Sequence, residues 1–231
     1  MESSQAASTP ANGIWLGLDT CGILGSIALC RWRQGEFDLL AQTELDGRSL
    51  SSTLVGAIAE LLNRASVKKP DGIVVIYGPG SFTGVRLGVA AVKWLAEAWM
   101  VPVVVVSGLE LMAAKAGVSA AAQDAHRQEV FLRVAQSERM EMLAGAEELA
   151  AIEPKPDRVA VCDDKAVALL QACWPSVALV RIEPVTATDA LTFCRDRIAS
   201  GEVADIASLD GHYLRRSDAE IFGNPVGKQQ A

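Results

Sequence analysis

No run in these 231 residues approaches the roughly 18 consecutive apolar positions of a membrane span, although half of the residues are apolar. The five cysteines, Cys21, Cys30, Cys162, Cys173 and Cys194, form no Cys-x-x-Cys pair, and their odd number leaves one unmatched. At this size and density they read as reduced thiols of a cytoplasmic protein. Histidine is scarcer still. His126 and His212 stand far apart, each beside an expected turn, so no two imidazoles share a helix face as a helical i, i+4 metal motif requires. A two-histidine metal site from one local motif is thereby excluded, and no metal is expected. Basic charge is lacking too, with a net charge of −7 and a pI near 4.9. Proteins that grip nucleic acid alone present a basic face, because phosphate neutralisation supplies most of the affinity. Here the basic clusters are short: Arg31/Arg33, Lys68/Lys69 and Arg215/Arg216. Independent tight binding of RNA or DNA is not expected. Nor does Ser81 have a Gly-x-Ser-x-Gly elbow or a histidine nearby in sequence, as serine catalysis would suggest.

What is present centres on Ile73-Val74-Val75-Ile76-Tyr77 followed by Gly78-Pro79-Gly80-Ser81-Phe82-Thr83-Gly84-Val85-Arg86. The apolar, mostly β-branched run predicts a strand buried on both faces. Gly-Pro-Gly then turns the chain, and Ser81 or Thr83 is placed to cap a following helix. The glycine spacing is not that of a dinucleotide fingerprint, and no Lys-Ser/Thr pair closes the loop as in a triphosphate P-loop. A strand, a small-residue turn and a helix N-terminus nonetheless offer backbone N–H groups to an anion. Gly78, Gly80, Ser81 and Thr83, with Asp19 and Thr20, are therefore the candidate nucleotide or anion site. The alternative for the loop is a plain tight turn, and for the carboxylate a cap on its own turn.

In chain order the pattern predicts strands at 14–19, 26–31 and 37–43, then a helix over 50–65 with Ser49 as N-cap. The buried strand, a helix over 83–100, the valine strand 103–106 and a short helix 109–116 follow. Beyond Gly117 the same order recurs more weakly, from a strand ending in Asp124 through strands at 129–135, 139–143, 158–162 and 177–180. A helix is expected over 165–172, and a last one from Thr188, with Leu191, Cys194 and Ile198 on one face and Thr186-x-x-Asp189 as a capping box. Two acid-ended hairpins about a hundred residues apart suggest a duplicated α/β fold. Right-handed crossovers place the 50–65 and 83–100 helices on one face of the first sheet.

Leu18-Asp19-Thr20, the Gly-Pro-Gly-Ser-Phe-Thr-Gly-Val-Arg run, Asp124-Ala125-His126-Arg127-Gln128-Glu129-Val130-Phe131 and Tyr213-Leu214-Arg215-Arg216 together closely resemble the TsaB (YeaZ) family. The resemblance runs from about Ile14 to Phe222. It implies a duplicated actin/hexokinase/Hsp70-like (ASKHA) α/β fold with two βββαβα-type halves. The halves are a first over 14–106, and a second, reduced one with the C-terminal tail over 107–231; the Ser/Ala-rich residues 1–13, with no basic start or apolar run, read as a disordered extension. It further implies a cytoplasmic, non-catalytic subunit of the machinery that makes N6-threonylcarbamoyladenosine at position 37 of tRNAs reading codons that begin with A. Its implied partners are the paralogue TsaD, which holds the metal and performs the transfer, and the ATPase TsaE. The implied chain forms a homodimer when alone, meets tRNA only through the complex and leaves ATP to the wider assembly, with no cofactor of its own. An ASKHA-type ATPase or small-molecule kinase is the alternative. Against it, the Gln123-Asp124-Ala125-His126 turn lacks the glycines a second phosphate loop needs.

The family pairs through two neighbouring helices, which here carry Leu50 and Leu54 on the first and Gly84, Arg86, Gly88, Ala91 and Leu95 on the second. The small residues at steps of three and four form a stripe open to close backbone approach. That stripe faces either a partner or the sheet beneath it. Gly47-Arg48-Ser49 stand where family members often carry a histidine.

Overall fold

Ile73, Val74, Val75 and Ile76 are at most 2% exposed because their strand runs through the middle of a sheet covered on both faces. The structure, a computed structural model, describes residues 12–215 except 136, 138 and 139. Most of the expected N-terminal extension, together with Arg139, Arg216 and Phe222, lies outside them. The first half comprises β1 (Gly13–Asp19), β2 (Leu24–Arg33), β3 (Glu36–Asp46), α1 (Leu50–Arg64), β4 (Gly72–Ile76), α2 (Phe82–Trp99) and β5 (Val103–Val106). After α3 (Gly108–Ala116) come β6 (Ala120–Asp124), β7 (Val130–Val134), β8 (Glu141–Ala144), α4 (Ala146–Ala151), β9 (Arg158–Val161), α5 (Asp164–Cys173) and β10 (Ala178–Arg181). Two short helices, α6 (Ala187–Phe193) and α7 (Arg195–Ser200), follow.

The first sheet has the order β3-β2-β1-β4-β5, and the second, read from its own hairpin edge, has β8-β7-β6-β9-β10. In each, two antiparallel pairings are followed by parallel ones. The duplication read from the two acid-ended hairpins is therefore a duplication of strand order.

Alternation along β1 assigns the helices to faces. Leu16 and Leu18 join a core with Leu54, Ile58 and Leu61 of α1 and Val89, Val92 and Leu95 of α2, so the two helices do share a face. Trp15 points to the other face, among Leu111 of α3 and Ala187, Ala190 and Leu191 of α6. A Cβ on Gly17 would stand 2.7 Å from the Ala187 carbonyl, so α6 sits low on β1, although it follows the second sheet in sequence. The Ala187 N–H donates to Ser26 Oγ at 2.8 Å, tying the start of α6 to β2.

The ends of the helices follow their sequence signals with two exceptions. Ser81 caps α2 by accepting from the Gly84 N–H, and Thr186 and Asp189 form the expected reciprocal capping box on α6. Ser49 sits at the N-cap of α1, but its hydroxyl donates to the Asp46 carbonyl instead of accepting from the helix. The single helix expected from Thr188 is two, joined at Cys194. Leu191, Cys194 and Ile198 nevertheless all reach the same buried cluster, since a bend at Cys194 follows the sheet surface. The short α4 was not expected.

Gly84, Gly88 and Leu95 of the stripe on α2 face inward, which corrects the partner-facing alternative for these three, while Ala98 at its far end is exposed. A Cβ on Gly84 would stand 2.0 Å from the Thr20 carbonyl oxygen, and one on Gly88 would stand 2.2 Å from Thr20 Oγ1. These glycines let α2 lie directly against the end of β1. Replacing Gly84 by alanine is accordingly expected to destabilise the chain by about 1–3 kcal/mol in urea unfolding. Gly56→Ala on α1, where an added Cβ meets nothing within 4 Å, is the control. It is expected to stabilise by up to about 1 kcal/mol through helix propensity.

Candidate functional site

The candidate residues Asp19, Thr20, Gly78, Gly80 and Ser81 converge where β1 ends against the first turn of α2. The Ser81 N–H donates to the Cys21 carbonyl at 2.8 Å, and Thr20 Oγ1 donates to the Gly84 carbonyl at 2.7 Å. A Cβ on Gly80 would stand 2.3 Å from the Cys21 carbonyl oxygen. The close backbone approach that these glycines permit is thus made by the chain's own Thr20–Cys21 turn. Gly78, at φ +129°, backs onto the His212 carbonyl. Thr83 is exposed on the first turn of α2.

Asp19 and Asp124 occupy matching places in the two halves and do the same local work. Each Oδ1 accepts from the N–H two residues on, Cys21 and His126 respectively, at 2.9 Å. Their surroundings differ. Asp124 meets Lys165 Nζ and His126 Nδ1, each at 3.1 Å from Oδ2. Asp19 is buried, and desolvation raises its pKa to about 6 against the hydrogen bonds from Cys21. The neighbouring Cys21 thiol, buried and donating to the Ile76 carbonyl at 3.2 Å, is pushed well up and stays protonated.

A second cluster, which the sequence did not reveal, bridges the halves. Glu141 on β8 accepts from Arg133 Nη1 at 2.8 Å and from Ser107 Oγ at 2.8 Å, and His212 Nε2 lies 2.7 Å from the same oxygen that Ser107 meets. The Tyr77 ring stacks on His212 with centroids 5.3 Å apart. Burial pushes the Glu141 carboxyl up, but the hydrogen bonds from His212, Ser107 and Arg133 together hold it below its usual range. Ser107, Glu141 and His212 are not a nucleophilic triad: the carboxylate stands between serine and histidine instead of behind the histidine. Its members come from four separated segments, so no local motif could announce it.

Residues 203–215 close the molecule. Their backbone takes Val103 O through Ala204 N–H and Tyr77 O through His212 N–H, both at 2.8 Å. Lys93 Nζ of α2 donates to the carbonyls of Ala207 and Leu209. Arg215 reaches the second half, pairing with Glu129 and donating to the His126 carbonyl. Of the described residues, no three His, Cys, Asp or Glu side chains converge as metal ligands.

The expected interface residues divide. Leu50, Leu54 and Leu95 belong to the core beneath α1 and α2, and Gly84 and Gly88 are buried too. None of these five can face a partner in this conformation, a correction that follows from their inward helical phase. Arg86 is exposed and Ala91 half-buried. The apolar surface lies elsewhere: Val55 on α1, Trp94 on α2 and Met100 at its C-cap are 61%, 63% and 87% exposed. Ile23 and Leu24, in and after the β1–β2 turn, are 84% and 61% exposed. The Ile23 carbonyl accepts from the Gly47 N–H just before α1, which ties that turn to the helix.

Residues 43–164 match the family model of TsaD, described as a tRNA N6-adenosine threonylcarbamoyltransferase. Among curated proteins, the chain is 36% identical over 124 residues to "tRNA threonylcarbamoyladenosine biosynthesis protein TsaB" of Bacillus subtilis, covering 50% of this chain and 52% of that protein. With the protein of the same description from Escherichia coli it is 31% identical over 148 residues, covering 61% and 62%. The matches thus span about half to three-fifths of the length of these curated relatives. Two solved structures from Pseudomonas aeruginosa are similar throughout. One is YeaZ, and the other is described as an uncharacterized protein with similarity to peptidase YEAZ. Both are 27% identical and cover 87% of this chain and 99% of theirs, with TM-scores of 0.64 and 0.69 respectively. With the repeated strand order, these likenesses make the fold a duplicated actin-like one.

The two buried carboxylates carry opposite pH signatures. An acid whose folded pKa is raised holds its proton more tightly when native, so its contribution falls as pH rises from about 4 to about 6. Asp19→Asn is expected to equal the parent in urea unfolding at pH 3.5 and to exceed it at pH 8, by at most about 3 kcal/mol. Glu141, held low, contributes above its ordinary 4.5 and loses that contribution as pH falls through the lower folded value. Glu141→Gln is expected to cost about 2–4 kcal/mol at pH 7, with the gap narrowing in acid when the same unfolding curves are compared.

Proposed function

Since the chain belongs to the TsaB (YeaZ) family within the TsaD-type group, we propose that it is a non-catalytic, activating subunit in the formation of N6-threonylcarbamoyladenosine at position 37 of tRNAs reading codons that begin with A. In this reading a TsaD-type paralogue carries the metal and the transfer chemistry, and a TsaE-type ATPase supplies nucleotide turnover. tRNA is met through the assembly, in keeping with a net charge of −7.

The observation that carries the proposal is the placement of exposed apolar side chains. Five of the eight large apolar residues most exposed among those described, Ile23, Leu24, Val55, Trp94 and Met100, fall on α1, on α2 with its C-cap, or on the hairpin turn tied to α1. Large apolar side chains gathered on one pair of packed helices mark a surface that another protein covers. A second copy of the chain covers it when the paralogue is absent. The pairing surface is therefore drawn from the outward phase of the two helices, next to Arg86 and Ala91, and not from the inward stripe.

An ATPase or kinase reading finds less support. The glycines that would bring backbone to a phosphate bring it to Thr20 and Cys21 instead. Calorimetry of the isolated chain with Mg-ATP separates the two readings.

In a reconstituted tRNA-modification assay, omitting this chain is expected to abolish product. Full modification without it would remove the proposal. Val55→Glu and Trp94→Glu are each expected to weaken association with the TsaD-type partner about tenfold or more, with unfolding stability unchanged to within about 0.5 kcal/mol.

A further inference from the structure

One flank of α2 and the closing segment enclose an open groove of about 450 Å³. Among the described residues, Arg86, Lys93 and Arg215 line it against one carboxylate, that of Asp210, a basic place in a chain of net charge −7. Two of the three cations are held in place by neutral groups. The Arg86 guanidinium lies 4.0 Å over the Phe82 ring, while Lys93 donates to the carbonyls of Ala207 and Leu209. Arg215 already pairs with Glu129. Asp205, which feels the Lys93 charge, is bonded to Ser208 and the Ala207 N–H. Among the described residues, Arg86 and Lys93 therefore present positive charge to the groove without a bonded carboxylate.

The floor between them is apolar, formed by Val89 and Leu209. That combination does not suit a nucleotide. The Phe82 ring has Arg86 over it and Tyr213 against it at 5.2 Å, and the Gly84 N–H is taken by Ser81. Neither a free ring face for a base nor that first-turn amide for a phosphate is on offer. Carboxylates flanking an apolar side chain fit better. Arg86 and Lys93 are seven residues apart on a helix, about 10 Å along its axis, and their long side chains span to positions i and i+4 of an extended peptide, which lie on one face about 13 Å apart with position i+2 between them.

We propose that this groove docks an acidic segment of another protein, with two carboxylates four residues apart on Arg86 and Lys93 and the apolar side chain midway between them on Val89 and Leu209. The proposal does not rest on pairing through Val55 and Trp94, and the two sets of variants report on it separately.

The test is fluorescence polarisation of the full chain with a labelled Gly-Glu-Ala-Leu-Ala-Glu-Gly peptide, with Gly-Gln-Ala-Leu-Ala-Gln-Gly as the neutral control. The glutamate peptide is expected to bind more weakly as salt rises, and at least tenfold more weakly to Arg86→Glu or to Lys93→Gln, both shown folded by circular dichroism. The glutamine peptide is expected not to bind. Absence of binding, or binding that both variants retain, overturns the proposal. So does binding seen only in a chain ending at Arg215, which would give the groove to the protein's own terminus. Arg86-dependent binding of pyrophosphate in place of the peptide would overturn it in favour of a small phosphate ligand.

Discussion

Everything in this molecule is arranged around the contact between the end of β1 and the first turns of α2. Three glycines of the loop and helix, Gly80, Gly84 and Gly88, stand where a Cβ would meet Thr20 or Cys21 at 2.0–2.3 Å. Thr20 and Ser81 then lock the contact with hydrogen bonds across it. A helix seated this low brings Val89, Val92 and Leu95 into the core shared with α1, and thereby sets which side of each helix is left outside. The loop's glycines serve the chain's own close packing, which is why a motif suggestive of phosphate binding here works as a structural joint.

The second constraint is the bridging of two similar halves. Each half has the same strand order and the same aspartate-capped turn at the end of its central hairpin strand. The apolar faces of α3, with Leu111 on the first sheet and Leu109 and Met112 on the second, join them, and so do polar groups from far-apart segments: Glu141 with Ser107, Arg133 and His212, then Arg215 with Glu129. A buried carboxylate held by a guanidinium, a hydroxyl and an imidazole tolerates little displacement, since moving any partner leaves a charge without solvent or mate. The closing segment thereby ties the two sheets together and sets the outward flank of α2 beside its own Tyr213 and Arg215.

How much of this was legible beforehand depended on whether a signal was local. The strand 73–76, the helices over 50–65 and 83–100, the Ser81 cap and the Thr186/Asp189 capping box rest on periodicity and near-neighbour chemistry, and they stand in the structure. The family motifs carried the duplicated fold. The phase of the small stripe was not legible, because glycine and alanine at helical spacing suit a partner and a sheet equally. The resemblance assigns Leu50, Leu54 and Leu95 to the pairing helices, and the structure puts them in the core, since apolar spacing marks a face without saying what covers it. The break at Cys194 was also hidden, since Leu191, Cys194 and Ile198 keep helical spacing through it.

The amino-acid sequence by itself determined the secondary structure of the first half, the repeat and the family. These depend on residues within a few positions of one another or on motifs read whole. Tertiary structure alone decided that Asp19 is buried and titrates near 6, that Glu141 gathers partners from Ser107, Arg133 and His212, that α6 returns to the first sheet, and that Val55 and Trp94 remain in solvent. The reason is physical: desolvation, long-range hydrogen bonding and the side from which a helix is covered are properties of what lies near in space, and the chain brings those neighbours together only when it folds.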